Sequence, residues 1–376
     1  MKRLLVIGGD RLGNFETMAP IVHQFKFKHN FSIMTLLQSE KVFLNLSRNK
    51  FLDLLYSSGR VIILRRFFSV LQIIEVIRYV FGHKNGFVLT NRALISPKFK
   101  LLRLLLRLNG WRVLYTMSFS RGPTKNIRFL MSPKSVSLCK RELADFCLIP
   151  TREHMIDYGI VGYRSKHMLV TGYPKLWDSW VQFIEKNSSS NHKFDYLVIM
   201  GIYHQRYNKI LLEIFHAIEL SHPGASISIK PHPTTSFVQV QKIINKTNSE
   251  KLKISINENN VAIQSMLSKI TIAHGTSACI DASIGSTVIN YWGEKKSVVD
   301  NYLNKSYDDR KSFEIFESLR TCNEFVIAEC YEVKDLKSSI EDCHYAKENR
   351  GMVMDVNYEC DLLEEIDQKK INSVIN

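Results

Sequence analysis

The sequence lacks the cysteine patterns that form disulfide frameworks or zinc sites. Its seven cysteines are an odd number, and no two of them are spaced as Cys-x-x-Cys. Disulfide-stapled domains and structural zinc sites depend on paired or closely spaced cysteines. We therefore expect thiols in a reducing compartment and a core that is held together by apolar packing.

An apolar run long enough to cross a membrane is also missing. The most apolar stretch, residues 51–81, is interrupted by charged residues that include Asp53, Arg60 and Glu75, whereas a span needs about 20 apolar residues. The run at residues 4–7 is too short for the core of a signal peptide. We interpret it as a first β-strand and expect a cytoplasmic enzyme.

Acidic residues are scarce in the first half of the chain. Residues 1–190 contain 30 Lys and Arg against 11 Asp and Glu, an excess of 19 positive charges, while the whole chain carries +15. The remaining residues therefore sum to −4. This asymmetry indicates nucleic acid, an anionic membrane surface or a polyanionic glycan as partner, or else a solvated basic surface. No RRM, KH, helix-turn-helix or zinc-finger pattern is present, so we expect no nucleic acid partner.

Two stretches of this basic half, residues 67–81 and 101–111, combine leucine-rich spacing with arginines. In the second, Arg103, Arg107 and Arg112 interleave with leucines. A helix of this kind lies at a membrane interface with its basic margin toward anionic lipid. The alternative is a helix that packs on the core and turns its arginines to water. Either reading is compatible with an enzyme held at the periphery of the inner membrane face.

Short apolar runs alternate with longer amphipathic stretches along most of the chain. The runs predicted as strands are residues 3–7, 31–36, 61–64, 86–90, 112–117, 145–150, 167–171, 196–200, 225–229, 252–256, 270–273, 287–291 and 324–328. A polar, serine-rich linker at residues 186–193 interrupts the alternation. The pattern predicts an α/β protein of two Rossmann-like, doubly wound domains that face each other across a cleft. The predicted limits are 1–185, 194–335 and a C-terminal helical tail at 336–376.

The sharpest local pattern is Lys230-Pro-His-Pro-Thr-Thr, which follows a β-branched run. Proline fixes its φ angle and has no N–H, so Pro231 and Pro233 predict a stiff strand exit. Such an exit presents Lys230 and His232 at the carboxyl edge of a sheet, where doubly wound folds bind ligands. These side chains suit a phosphate or a carboxylate. The alternative is a proline turn with a surface histidine.

Two further strand exits in the same half carry ligand-binding residue types. His274-Gly275-Thr276-Ser277 leads from an apolar run into a predicted helix that contains Asp281. Its hydroxyls and free N–H groups predict a phosphate cradle, and Asp281 could accept from ribose hydroxyls; the alternative is a simple helix cap. Gly201 follows the first strand of this half. Three such exits are expected to converge on one crevice.

In the first half, a glycine-rich loop follows the first strand. Gly8, Gly9 and Gly13 do not fit the Gly-x-Gly-x-x-Gly spacing, so a dinucleotide fingerprint is unsupported. From this loop we expect Asp10 or Glu16 to serve as base and Arg11 to contact the sugar or acceptor. From a later strand exit we expect Ser120 and Arg121 to contact the sugar or acceptor as well.

These motifs resemble those of the GT-B glycosyltransferase superfamily. Lys-Pro-His-Pro at 230–233 is similar to the His-Pro motif of bacterial sialyltransferases, capsule Kdo transferases and CDP-glycerol glycerophosphotransferases. Thr276-Ser277 stands where those families carry a Ser-Ser/Thr pair, and Thr171-Gly-Tyr-Pro resembles the segment that ends the first GT-B domain. The resemblance implies that His232 and Ser277 contact the phosphate of a cytidine nucleotide.

A second resemblance is to UDP-N-acetylglucosamine 2-epimerases, which share the fold. Gly9-Asp-Arg…Glu16-Thr-Met-Ala-Pro resembles their opening, with Arg11 matching a phosphate-contacting arginine and Asp281 matching a ribose-binding glutamate. A glutamate that they carry is replaced here by Met117 or Ser118. This departure favours sugar transfer over epimerisation.

The sequence therefore predicts a metal-independent glycosyltransferase without a cofactor that builds a bacterial surface polysaccharide from a nucleotide-activated, preferentially CMP-linked, sugar. Its expected partners are that donor, a glycan or lipid-linked acceptor and an anionic membrane surface. His232 and Ser277, with Lys230 and the amides near Gly275, would neutralise the leaving phosphate. Asp10, Glu16 or, as a third candidate, Glu153 would serve as general base. The alternatives are an epimerase-like enzyme and a CDP-alditol phosphotransferase.

Overall fold

The computed structural model describes residues 2–9, 12–37, 39–57, 59–63, 70–91, 97–116, 144–150, 168–188, 193–201, 207–232, 235–246, 251–257, 259–274, 276, 278–296, 327–345 and 359–375. The chain divides into two compact units. The first is Met1–Trp180 together with Tyr358–Asn376, and the second is Val181–Asn357. The domain limits expected from the sequence, 1–185, 194–335 and 336–376, remain a prediction, which this division into compact units does not test.

The first unit is built on a parallel seven-stranded sheet. Its strands are β1 Arg3–Ile7, β2 Ser32–Leu37, β3 Arg60–Ile63, β4 Phe87–Thr90, β5 Arg112–Thr116, β6 Phe146–Ile149 and β7 Met168–Val170. The spatial order is β3-β2-β1-β4-β5-β6-β7. The central strand β1 has Leu4 to Ile7 fully buried, as expected for a strand covered on both faces.

The second unit holds a parallel six-stranded sheet. Its strands are β8 Phe194–Met200, β9 Ser226–Lys230, β10 Lys253–Ile256, β11 Ser268–His274, β12 Thr287–Tyr291 and β13 Ala328–Cys330. The order β10-β9-β8-β11-β12-β13 reverses direction between β8 and β11, just as the first sheet reverses between β1 and β4. Both units are therefore doubly wound, and the predicted α/β class is confirmed.

Twelve α-helices are described. They are α1 Leu12–His23, α2 Glu40–Arg48, α3 Lys50–Tyr56, α4 Val70–Phe81, α5 Pro97–Leu108, α6 Asp178–Asn187, α7 Tyr207–Ser221, α8 Phe237–Lys246, α9 Val261–Met266, α10 Cys279–Ala282, α11 Val333–Tyr345 and α12 Leu362–Ile375. Within the described residues, no helix is long and apolar enough to cross a membrane.

Helices α4 and α5 cover one face of the first sheet. Val76, Tyr79 and Val80 of α4 join Leu106 of α5 in a buried cluster with alternate residues of the strands. In the second unit, α7, α8 and α11 contribute to the corresponding core, which includes Leu336 and Ile340 of α11.

The glycine at position 8 is explained by packing. A Cβ atom there would lie 2.1 Å from the Phe15 ring, which is fully buried under the end of β1. The space of the missing side chain is thus filled by α1, because an aromatic ring can approach the backbone only where no Cβ stands in the way. This accounts for a glycine after β1 without a dinucleotide fingerprint.

The C-terminal segment packs on the end of α1. The Gln24 side chain, at the start of a π-helical turn Gln24–Lys28, is 1% exposed and donates to the Cys360 carbonyl at 2.6 Å. It accepts from the Leu362 N–H at 3.2 Å. Leu362 and Ile366 of α12 are fully buried. The first unit is thus completed by residues that lie at the far end of the chain.

Candidate functional site

The carboxyl edge of the second sheet brings together the three strand exits that the sequence distinguishes. β9, β8 and β11 are neighbours, with Ile199 opposite Lys230 and Met200 opposite His274. Gly201 follows Met200 directly and is buried. Lys230, Gly201 and His274 therefore lie at nearly the same level of the edge, at the point where the strand order reverses. Ligands of doubly wound folds bind at this point.

His274 ties three strand exits together. It is 9% exposed, and its Nδ1 lies 2.8 Å from the Tyr291 carbonyl oxygen at the end of β12. A carbonyl can only accept, so Nδ1 carries the hydrogen, and in the neutral ring Nε2 is then the acceptor nitrogen. The His274 carbonyl accepts from the Gly201 N–H at 2.9 Å. The imidazole is therefore held in one orientation.

The partner of His274 is itself fixed from its other end. The Tyr291 hydroxyl donates to Glu213 Oε2 of α7 at 2.8 Å. Burial, together with the Glu213 carboxylate, raises the pKa of Tyr291 well above its usual value, so the phenol stays protonated. The Glu213–Tyr291–His274 chain thus links α7 to the sheet edge.

Lys230 and His232 are half-buried at the exit of β9, on either side of a buried Pro231. The His232 carbonyl accepts from the Thr235 N–H at 2.8 Å, which closes a turn after the strand. An ammonium and an imidazole that stand two residues apart at a strand exit suit an anionic group such as a phosphate. Their role in nucleotide binding stays a prediction.

Thr235 ends the Lys230-Pro-His-Pro-Thr-Thr pattern, but the pattern alone predicts no role for it. Its side chain is 9% exposed, and its hydroxyl has no hydrogen-bond partner among the residues that the structure describes. Buried hydroxyls are nearly always bonded to protein, water or ligand. Only the second threonine of Thr-Thr in the sequence, two residues past a proline, hints at this position.

The helix that we expect after β11, as part of a phosphate cradle, is very short in the structure. α10 is a single turn of four residues and has Ala278, which makes no side-chain cap, at its N-cap. The serine that follows this turn favours its early end. The Ser283 hydroxyl donates to the Ile280 carbonyl at 2.9 Å and so competes with the backbone N–H groups that would continue the helix. One turn has little dipole to offer an anion, and the predicted phosphate cradle stays a prediction.

Thr276 makes a local bond to the backbone at this exit. It is 9% exposed, and its Oγ1 accepts from the Ala278 N–H at 3.2 Å. Ala278 is itself the N-cap residue of α10, which has no side-chain cap, so this bond does not cap the helix. Asp281 is half-buried within α10, and its carbonyl oxygen lies 3.5 Å from the Ser265 hydroxyl.

A buried amide organises the loop between β10 and α9, beside the β9 exit. Gln264 is fully buried, and its Oε1 accepts from the Ser228 hydroxyl of β9 at 3.1 Å. Its Nε2 donates to the carbonyls of Asn259 at 2.7 Å and Asn257 at 3.3 Å. The Asn257 N–H in turn donates to the Ile229 carbonyl at 2.9 Å. These bonds hold the loop in register with Lys230.

Eight of the residues predicted for the site lie outside the described residues: Asp10, Arg11, Ser120, Arg121, Glu153, Pro233, Gly275 and Ser277. Glu16 is described and is half-buried on α1 in the first unit, close enough to Tyr56 to raise the pKa of that phenol, after burial as the main cause. Among the described residues, no group of three or more His, Cys, Asp or Glu side chains could hold a metal ion.

Comparisons with known proteins identify the fold. Neither a family model nor the sequence of a curated protein matches the chain. Among solved structures, HepE of Anabaena in complex with UDP and glucose is similar with a TM-score of 0.50 and 10% identity, covering 100% of both chains. The UDP-GlcNAc 2-epimerase of Neisseria meningitidis bound to UDP-GlcNAc is similar with a TM-score of 0.53 and 14% identity, covering 99% of this chain and 100% of the other.

The structural likeness and the two doubly wound sheets together show a fold of the GT-B type. The fold prediction is therefore confirmed. At these identities the likeness concerns the fold alone, and the chemistry of this chain has to be argued from its own residues.

Proposed function

We propose that this chain is a glycosyltransferase whose nucleotide-activated donor binds at the carboxyl edge of the second sheet. The observation that carries the proposal is the grouping of Lys230, His232 and His274 at the switch point between β8 and β11. Two cationic or potentially cationic side chains and a fixed imidazole at such an edge suit a nucleotide phosphate. The solved relatives of the same fold were obtained with UDP or a UDP-sugar.

In the proposed reaction the bond between the anomeric carbon and the phosphate oxygen breaks, and its electron pair stays on the phosphate. Lys230 and His232, aided by the hydroxyls of Thr276 and Ser277 and the amide of Gly275, stabilise that developing charge. The acceptor hydroxyl oxygen forms the new bond to the anomeric carbon. Its proton goes to a carboxylate, for which Asp10 and Glu16 are our candidates. We propose that no metal is needed.

For the donor we propose a CMP-linked sugar used in surface polysaccharide synthesis. The support is the resemblance of residues 230–233 to the His-Pro motif of cytidine-nucleotide enzymes, whereas the two solved relatives point to uridine nucleotides. Thermal unfolding separates the two. A ligand at 100 times its Kd adds about 2.7 kcal/mol to the free energy of unfolding. A melting shift with UDP and none with CMP or CDP would overturn the cytidine assignment.

His232→Ala tests the site itself. We expect it to lower nucleotide release from the preferred donor at least tenfold, because loss of one donor to a developing charge costs a few kcal/mol. The control is His216→Ala, which removes an exposed histidine from α7. Equal activity of the two variants, with equal melting temperatures, would contradict the proposal.

A nucleotide-sugar 2-epimerase is the second candidate, and the likeness to the Neisseria enzyme favours it. Against it stands the replacement of the expected glutamate by Met117 or Ser118. Turnover of UDP-GlcNAc in the absence of any acceptor distinguishes the two, because epimerisation needs no acceptor and transfer does.

A further inference from the structure

Helices α4 and α5 present an apolar and basic surface on the outside of the first unit. Their inward residues belong to the same cluster on the sheet, so their outward residues face away from the same side of that unit. Four large apolar side chains stand outward: Ile74 at 37% exposure, Phe81 at 48%, Leu104 at 54% and Leu108 at 71%. Single exposed leucines are common, but four on two adjacent helices form a patch of the kind that marks an interaction site.

The C-terminal ends of the two helices are tied together. Asn109 Nδ2 donates to the Val80 carbonyl, and the Trp111 indole N–H donates to the His83 carbonyl at 2.9 Å. The Asn85 N–H donates to the Asn109 carbonyl at 3.2 Å. Phe81 and Leu108 adjoin these bonds, so they lie on the same part of the surface and cannot separate without breaking them.

Within the described residues of α4, of α5 and of the turn that follows α4, the charge is almost entirely positive. Arg78, Lys84 and Arg107 are exposed beside the apolar residues, and Arg103 is half-buried among them. The sequences of both helices contain a single acidic residue, Glu75, which pairs with Arg60 at 3.6 Å. Apolar side chains within a basic margin match the two layers of a bilayer surface, the acyl boundary and the anionic headgroups.

We propose that this α4–α5 surface docks the protein on an anionic lipid bilayer, with Phe81, Leu104 and Leu108 at the acyl boundary and Arg78, Lys84 and Arg107 on the headgroups. A protein partner would have to supply acidic groups around an apolar centre at one matching site. An anionic bilayer, in contrast, presents anionic headgroups above an apolar acyl layer at every point of its surface. The docking would carry the enzyme to lipid-linked acceptors, but the binding itself does not depend on sugar transfer.

Co-sedimentation of the full chain with phosphatidylcholine vesicles, with and without phosphatidylglycerol, tests the proposal. We expect much stronger binding to the anionic vesicles than to the neutral ones at low salt. As salt rises to about 0.5 M, binding to the anionic vesicles should fall to the level of the neutral ones but not to zero, because screening acts on the charges and not on the buried apolar surface. Arg78→Gln with Arg107→Gln should weaken low-salt binding roughly 25-fold, about fivefold for each charge. Leu104→Ser with Leu108→Ser should abolish the salt-resistant fraction.

Matched controls lie on the second unit. Leu212→Ser with Leu220→Ser removes two exposed leucines from α7, and Lys242→Gln with Lys253→Gln removes two exposed cations. Both should bind vesicles like the wild type, and all variants should melt like it. Wild-type binding by the α4–α5 variants, unchanged salt resistance in the leucine variant, or retention on polyphosphate without vesicle binding would each overturn the proposal. The last result would assign the charge to a soluble polyanion.

Discussion

The His23 ring lies in an apolar environment at the end of α1. It is 9% exposed, with its centroid 5.0 Å from that of Phe27 and 5.8 Å from that of Trp180. The pKa of His23 is lowered to about 4, mainly by burial. The nearby Glu359 carboxylate raises this pKa in part, and the Lys26 ammonium lowers it slightly. The ring is therefore neutral at physiological pH and acts as an aromatic packing residue.

This lowered pKa makes stability depend on pH. Between about pH 6.5 and pH 4 the unfolded chain binds a proton at His23 that the folded chain does not, so the free energy of unfolding falls as pH drops through that window. We expect a loss of about 1–2 kcal/mol after allowance for solvent screening. Urea unfolding of His23→Phe should show a flatter pH dependence, whereas His216→Phe should keep the wild-type slope. Parallel slopes in wild type and His23→Phe would contradict this account.

Thr235 offers the sharpest test of a single hydroxyl in the candidate site. If it binds the nucleotide phosphate, Thr235→Val should weaken nucleotide binding about tenfold or more, because hydrogen bonds to charged groups contribute about 1.5–3 kcal/mol. Thr235→Ser should retain most of the affinity. Calorimetric titration with CMP, CDP and UDP measures both.

The matched control for Thr235 is Thr35→Val. Thr35 lies in β2 of the first unit and also has a buried hydroxyl without a partner among the described residues. It should leave nucleotide affinity unchanged. If Thr235→Val also leaves nucleotide affinity unchanged and only raises the melting temperature, then the buried Thr235 hydroxyl lowers the stability of the fold and does not contact the ligand.

At the scale of elements, every described strand except β13 could be predicted from the sequence to within two residues at each end, whereas β13 is predicted at 324–328 and lies at Ala328–Cys330. β1 and β12 have the predicted limits, because a strand covered on both faces is largely apolar and so stands out in the sequence, even though the fully buried Asn290 lies within β12. The alternation of strands and helices also fixes a parallel sheet, and with it the common edge at which Lys230, Gly201 and His274 meet. Strand order is a tertiary property, so their adjacency had to await the structure.

Side-chain bonding between elements could not be predicted. The single-turn length of α10 depends on serine hydroxyls that compete for helix carbonyls, and nothing in the residue pattern reveals which competitor wins. Gln264 looks like a polar residue on a short amphipathic helix, yet it is fully buried and bonded to two other elements. The local sequence carries no signal for such partners.

The Ser228–Gln264 pair can be tested as a unit. Gln264→Met keeps the side-chain volume but leaves the Ser228 hydroxyl and the carbonyls of Asn257 and Asn259 without their partner. We expect a loss of about 2–4 kcal/mol in the free energy of unfolding. Ser228→Ala in the Gln264→Met background should cost less than in the wild type, with a coupling energy of about 1 kcal/mol. Strict additivity in urea unfolding would show that the bond contributes nothing.

At the scale of the whole molecule, the first unit depends on its C-terminal segment. The Gln24 side-chain amide donates to the Cys360 carbonyl and accepts from the Leu362 N–H. Lys28 pairs with Asp361 at 3.1 Å. The Ser179 hydroxyl donates to Glu359 at 2.8 Å. The segment is thus held by buried polar bonds as well as by the apolar face of α12.

Gln24→Ala should therefore destabilise the first unit by about 2–4 kcal/mol, because it leaves a buried N–H and a buried carbonyl unpaired. Three of the four tryptophans, at positions 111, 177 and 180, lie in the first unit. In a Trp292→Phe background, tryptophan fluorescence reports unfolding of that unit alone. Gln241→Ala, which removes an exposed glutamine from α8, is the control. Equal midpoints for the two variants would contradict the role of Gln24.

The closure of the first unit by the far end of the chain sets an order for its biosynthesis. The second unit is one continuous segment, Val181–Asn357, and can be completed as soon as it leaves the ribosome. The first unit must wait for α12, and at 5–20 residues per second roughly 10–40 s of synthesis separate Trp180 from Ile375 of that helix. During that interval the seat of Leu362 and Ile366 beside α1 is open to chaperones or to a neighbouring nascent chain. Of the two units, the one whose synthesis begins earlier is therefore the one that finishes folding later.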